Sequence, residues 1–195
     1  MNTASRPLII LDRDGVINHD SDHYIKSPEE WKPIDQSLDA IARLTHAGWS
    51  VAVATNQSGV ERGLFDINVL HAIHNTMLQA VAASGGQIDA IFFCPHAPDT
   101  GCECRKPATG LLRDIAARFD RSLAGVPMVG DSRRDLVAGD AMGCDCWLVT
   151  TGKGERTLME AQRDPKKTLP KGTSVAPNLA AVVERLLNAS ASHET

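Results

Sequence analysis

The stretch Leu8-Ile9-Ile10-Leu11-Asp12-Arg13-Asp14-Gly15-Val16-Ile17-Asn18 decides the fold. Four consecutive apolar residues read as a short strand buried on both faces, the pattern of a parallel sheet. Two carboxylates, two residues apart, follow where that strand ends, and Gly15 lets the chain turn sharply. Ligands of open parallel sheets collect at the carboxyl edge of the strands, and grouped carboxylates there suit a hard cation and a nucleophile. Taken alone, D-x-D-G is also an ordinary solvated turn, because Asp and Gly are turn residues.

Further apolar runs predict strands over Trp49–Ala54, Ile88–Phe93, Val126–Val129 and Cys146–Val149, after the first at Leu8–Leu11. Helical spacing predicts helices over Ser37–Ala47, Asn68–Ala83, Gly110–Phe119, Arg134–Met142 and Leu179–Asn188. Strand alternating with helix gives an α/β fold, a Rossmann-like parallel sheet with helices on both faces. The polar stretch Gly152–Ser174 reads as a surface excursion, either a plain loop or one flanking the site, and Ala189–Thr195 as a frayed, flexible tail.

At 195 residues the chain is expected to form a single domain spanning 1–195. It is 43% hydrophobic and 23% charged, with a net charge of -4, so no global basic field draws nucleic acid or an anionic membrane. No apolar run reaches the roughly 20 residues of a membrane span. The polar segment Met1–Pro7 leads directly into the first strand with no room for a secretory signal, so a cytoplasmic protein is expected. Five cysteines in tight spacing fit a reducing compartment and metal binding better than disulfides. A monomer is the default, because no unpaired apolar stripe asks for a partner.

Three more polar clusters follow strands or precede helices. Thr55-Asn56-Gln57-Ser58-Gly59 offers hydroxyl, amide and backbone N–H donors that suit a phosphate, or that cap a helix. Arg105-Lys106-Pro107 offers two cations that neutralise a dianion, or a solvated surface pair. Gly130-Asp131-Ser132-Arg133-Arg134-Asp135 puts one acid at a strand end and another a helical turn on, which an N-cap with an acidic first turn also explains. Separately, Cys94-Pro95-His96 and Cys102-Glu103-Cys104 give three thiols and an imidazole within 11 residues. They match a structural Cys₃His zinc site in type and count; reduced loop cysteines or a redox pair are the plainer readings. Zinc bound there would brace the backbone presenting Arg105 and Lys106. Cys144 and Cys146 read as small core residues.

In chain order, D-x-D, a hydroxyl, a lysine and G-D-x-x-x-D resemble the haloacid dehalogenase-like (HAD) phosphatase superfamily over about residues 8–150. The resemblance implies a three-layer HAD core and a Mg²⁺-dependent phosphotransferase. Asp12 would be the nucleophile, Asp14 the general acid and base, and Thr55 and Lys106 would stabilise the transferring group. Mg²⁺ would be held by Asp12, the Asp14 backbone carbonyl and Asp131, with Asp135 orienting metal waters or Lys106. The gaps between motifs are too short for a folded cap domain, so loops are expected to choose the substrate.

The zinc loop and the forms D-R-D-G-x-I-N, T-N-Q-S-G and C-x-C-R-K-P resemble one branch of the superfamily. That branch holds the heptose-bisphosphate 7-phosphatases and the histidinol-phosphate phosphatases. It implies substrate contacts from Arg13, Asp20, Tyr24, Asn56, Gln57, Ser58 and Arg105. Arg105 beside Lys106 favours a sugar bisphosphate, since it can grip a second phosphate, and implies a role in supplying ADP-heptose for lipopolysaccharide. Histidinol phosphate or a broader range of sugar phosphates stays open, as does a non-catalytic, zinc-stabilised binding module. Only Ala97–Gly101 separates the halves of the zinc loop, shorter than in many relatives.

Overall fold

In the computed structural model, which describes residues 6–191, strand β1 (Leu8–Leu11) is buried along its whole length and its side chains divide by parity. Ile9 and Leu11 pack with α1 (Ser37–His46), α2 (Ile67–Ala83) and α6 (Leu179–Ala191). Leu8 and Ile10 pack on the other face with α3 (Gly110–Arg118) and with Ala138 of α4 (Arg133–Ala141). Successive strand side chains point to opposite faces, so a continuous apolar run is what a sheet covered on both sides requires. Each fully buried Leu or Ile contributes about 1.5–3 kcal/mol over its exposed state. In α1 the buried positions Ser37, Ala40, Ile41 and Leu44 recur at helical spacing and turn that stripe to the sheet.

The sheet also contains β2 (Ser50–Asn56), β3 (Ala90–Cys94), β4 (Pro127–Gly130), β5 (Asp145–Val149) and β6 (Ser174–Ala176). Its order is β3-β2-β1-β4-β5-β6, and every neighbouring pair is parallel. The chain builds outward from β1 to β3, then crosses back to lay β4 on the other side of β1. The crevice beyond β1 and β4 is therefore the switch point at which such sheets bind ligands. There the Asp12 N–H donates to the Val129 carbonyl at 2.9 Å.

Several boundaries differ from the sequence reading. Thr55 and Asn56 are the last residues of β2 rather than a loop after it, because they pair with Phe93 and Cys94. Gly152–Ser174 is not a plain loop: it forms α5 (Gly154–Arg163), a 3-10 turn at Pro165–Lys167, and runs into β6. Helix α5 buries only Gly154, so it lacks the apolar stripe that announces a helix. Strand β6 is three residues long and is defined by its backbone pairing with β5. Helix α6 continues to Ala191, past the expected end at Asn188. Residues 1–5, most of the expected N-terminal lead, and 192–195, the end of the expected tail, lie outside the described residues. Among the described residues no helix is long and apolar enough to cross a membrane, and all five cysteines are free.

Candidate active site and metal centre

Lys106 reaches from the segment before α3 into the space under β1 and β4. Its ammonium lies 3.0 Å from Asp12 Oδ1, 2.7 Å from Asp135 Oδ1 and 2.6 Å from the Ala54 carbonyl oxygen. Asn56 secures this approach reciprocally: its amide donates to the Lys106 carbonyl at 3.0 Å and accepts the Lys106 N–H at 3.1 Å. Burial alone would lower the lysine's pKa, but Asp12 and Asp135 outweigh it and hold the ammonium charged. Asp135 also accepts from the Ser132 hydroxyl and, at 3.1 Å, the Ser132 N–H. This is the capping box that starts α4. Despite its burial, Lys106 and Arg134 keep the Asp135 carboxyl below the usual range.

Carboxylate oxygens of Asp12, Asp131 and Asp135 lie within 4.8 Å of one another, and all three residues are buried. The Lys106 ammonium touches two of these three carboxylates, Asp12 and Asp135, and leaves negative charge uncompensated. Burial, then repulsion from Asp135, pushes Asp131 up to about 8. Burial also raises Asp12 to about 6, against the pull of Lys106. An all-oxygen, charge-deficient set of this kind fits a hard divalent cation. Gly15 and Gly152, both at positive φ, press against Asp131, and a Cβ on either would collide with its carboxylate. The Lys153 N–H donates to Asp131 Oδ2 at 2.8 Å.

Above this cluster opens a cleft of about 200 Å³, whose lining includes Asp12, Asp14, Thr55, Gln57, Ser58 and Arg105. Asp14 is held by the Arg13 guanidinium at 2.9–3.1 Å and by the amides of Asn18 and Gln57, each at 2.9 Å. Burial would raise its pKa, but these donors, Arg13 foremost, lower it and keep it ionised. Thr55 Oγ1 accepts from Gln57 Nε2 at 2.8 Å, which leaves the hydroxyl proton to donate.

Beside the cleft, ligand atoms of Cys94, His96, Cys102 and Cys104 also converge within 4.8 Å. The Sγ–Sγ separations are 3.0, 3.6 and 3.6 Å, and His96 Nδ1 lies 3.2 Å from Cys104 Sγ. Tetrahedral zinc with bonds near 2.3 Å has edges of ~3.7 Å, so four ligands at this spacing fit the ion. Glu61, from the loop after β2, clamps the same turn through the Ala97 N–H and the Thr100 hydroxyl.

Residues 103–182 match the family model described as HAD-hydrolase-like. A D-glycero-beta-D-manno-heptose-1,7-bisphosphate 7-phosphatase of Bordetella bronchiseptica is 59% identical over 92% of this chain and 97% of its own length. The chain belongs to the heptose-bisphosphate 7-phosphatase family. The Pseudomonas aeruginosa member is 54% identical over 94% of this chain and 99% of its own. The crystal structure of the Bordetella enzyme, complexed with magnesium and phosphate, superposes with a TM-score of 0.89 at 58% identity, covering 94% of this chain and 99% of that one. The heptose bisphosphate phosphatase structure from Burkholderia thailandensis gives a TM-score of 0.72 at 46% identity, over 93% and 99%. The HAD resemblance read from four short motifs is thus that of the whole chain.

Within the heptose-bisphosphatase frame, the residues named from sequence divide by position. Asp12, Asp131 and Lys106 meet in the acid cluster, while Asp14, Asp20, Tyr24, Gln57, Ser58 and Arg105 face the cleft. Arg13 and Asn56 also border it; Asp14 and Gln57 engage Arg13 Nε and Nη2 and leave its buried Nη1 unpartnered among the described residues, and the Lys106 backbone engages the Asn56 amide. Sequence reasoning missed Gly152, Lys153, Arg134 and Arg62. Lys153 pairs with Asp20 at 2.6 Å, tying the loop after β1 to the one after β5. A Gly-Lys pair just past a strand end, inside what was read as a loop, was the available signal.

Proposed function

We propose that this chain is a Mg²⁺-dependent phosphatase removing the 7-phosphate of D-glycero-D-manno-heptose 1,7-bisphosphate through an aspartyl-phosphate. The carrying observation is the cluster of Asp12, Asp131 and Asp135 at the switch point, the first and last of them paired with Lys106, beneath a cleft with cations on its walls. Asp12 Oδ1 already takes the Arg13 N–H at 2.8 Å and Lys106, so Oδ2 is the oxygen that attacks phosphorus. As the new P–O bond forms, the bond to the sugar oxygen breaks and Asp14 gives that alkoxide a proton. Water then attacks phosphorus, Asp14 takes its proton, and the bond to Asp12 breaks to release phosphate.

The ionised state of Asp14 suits the second step directly. For the first it must enter protonated, which its burial and the charge of an incoming phosphate both promote. Thr55 donates its hydroxyl to the transferring phosphoryl group, and Lys106 offsets charge on the attacking carboxylate. Mg²⁺ held by Asp12, Asp131 and the Asp14 carbonyl would neutralise the phosphoryl oxygens as charge shifts between them. Zn²⁺ on the Cys₃His set is structural, four protein ligands leaving no open position. Arg105 reads the second phosphate of the substrate.

The test measures phosphate release with Mg²⁺ from heptose 1,7-bisphosphate, fructose 1,6-bisphosphate and histidinol phosphate. The heptose bisphosphate should give the highest kcat/KM, and Asp12→Asn should lower kcat by about four orders of magnitude or more. Preference for histidinol phosphate would overturn the substrate assignment. Inactivity on every ester by folded, metal-loaded protein would point to a binding module.

A further inference from the structure

We infer that Arg134 is a specificity-determining residue, pairing with Arg105 to clamp the non-reacting phosphate of the substrate between two guanidinium groups. The inference rests on the sugar-bisphosphate reading above. Arg134 stands in the first turn of α4 and lines the same cleft as Arg105. The other cations there are accounted for differently. Arg13 is forked onto Asp14 through Nε and Nη2, with only its buried Nη1 unpartnered among the described residues, Lys153 is paired with Asp20, and Arg62 is solvent-exposed. Arg105 gives one nitrogen, Nη1, to the His96 carbonyl at 3.0 Å. Arg134 is mostly buried, and among the described residues its Nε has no hydrogen-bond partner.

Leaving a guanidinium buried and unmatched costs free energy that protein contacts normally recover. The nearby acids, Asp135, Asp12, Asp131 and Asp20, hold its charge through space rather than by contact. Two arginines facing one cavity and repelling each other are stabilised when a dianion enters between them. Phosphate suits this placement because its terminal oxygens accept two planar forks at once, which a single charge such as lysine does not match. The reacting phosphate belongs at Asp12, leaving the second phosphate to the arginine pair.

The experiment compares kcat/KM for heptose 1,7-bisphosphate and heptose 7-phosphate in wild type, Arg134→Ala, Arg134→Lys, Arg105→Ala and the double alanine variant. Arg134→Ala should reduce the preference for the bisphosphate about 10- to 100-fold, chiefly through KM. The double variant should lose less than the product of the single losses, since both arginines share one phosphate. Arg134→Lys, which keeps the charge and the buried stem, should still lose about threefold or more of the preference. It decides the matter if thermal melting shows the alanine variant unfolded. Equal losses on both substrates, no loss on either, or full preference in Arg134→Lys would overturn the clamp. If Arg105→Ala loses the preference and the Arg134 variants keep it, the clamp fails while the bisphosphate reading stands. If wild type shows no preference for the bisphosphate, both fall.

Discussion

At the scale of single residues, the acid cluster depends on groups that hold its members as much as on the members themselves. Asn56 fixes the backbone of Lys106, Ser132 fixes Asp135, and Gly15 and Gly152 make room for Asp131. Gly152 is the sharpest case. Its φ of +56° lies in the left-handed region, and any Cβ would meet both the Asp131 carboxylate and the Gly15 Cα. Gly152→Ala should therefore weaken Mg²⁺ activation about tenfold or more, because Asp131 must move. Backbone strain of about 1–2 kcal/mol should also lower Tm by several degrees. Magnesium titrations of activity and thermal melts check both. Unchanged values would mean that the loop after β5 moves aside freely.

Among the elements, α2 carries a titration that the fold enforces. His74 is buried against Phe93, and its Nε2 has no hydrogen-bond partner. Burial first, then the neighbouring charge of Arg13, brings its pKa down to about 3 from the ordinary 6.5. The imidazole stays neutral in the fold while the unfolded chain takes up a proton near pH 6.5. Its effect is absent above about pH 7, and it destabilises the fold as pH falls from there toward 3, by at most about 1.4 kcal/mol per pH unit. His74→Phe should flatten the loss of stability between pH 7 and 5, as read from urea melts at several pH values. An unaltered slope would assign that loss to carboxylates alone. Helix α5 is the opposite kind of element. Its apolar face is small, Leu158 packing partly buried against the cluster of Leu136, Cys146 and Leu148, and its place is also set by Gly154 against the Val149 carbonyl and by the Thr157 hydroxyl donating to the Asp131 carbonyl at 2.9 Å.

Across the whole molecule, the site's edge is assembled from the end of β2 and from segments after β1, β3, β4 and β5, and the Cys₃His turn lies on the segment after β3. Cys94 ends β3, while Cys104 adjoins Arg105 and Lys106. Zinc bound there would therefore couple the sheet edge to Arg105 and Lys106. Stripping zinc with a strong chelator should lower Tm and reduce kcat/KM about 10- to 100-fold, with recovery on adding Zn²⁺ but not Mg²⁺ alone. Metal content per chain, melting curves and phosphate release follow the effect together. Full activity in zinc-free protein would remove the brace from the account.

The amino-acid sequence by itself determined five strands of the sheet, the helices with strong apolar periodicity, and the order of the chemical groups. Alternating strands and helices force every strand of a parallel sheet to end at the same edge, so Asp12, Thr55 and Asp131 had to meet wherever strands were read correctly. The four zinc-fitting ligands were legible for a simpler reason, since 11 residues of chain bring them together. Only the tertiary structure decided which polar group answers which. Lys106 between Asp12 and Asp135, Asn56 on the Lys106 backbone, Lys153 and Gly152 on Asp131, and the unmatched Arg134 are contacts between residues mostly far apart in the chain. A polar side chain in a loop carries no local signal of its partner, because periodicity reports burial and not pairing. Helix α5 and strand β6 escaped for the same reason, being held by backbone and packing contacts that apolar patterning does not record.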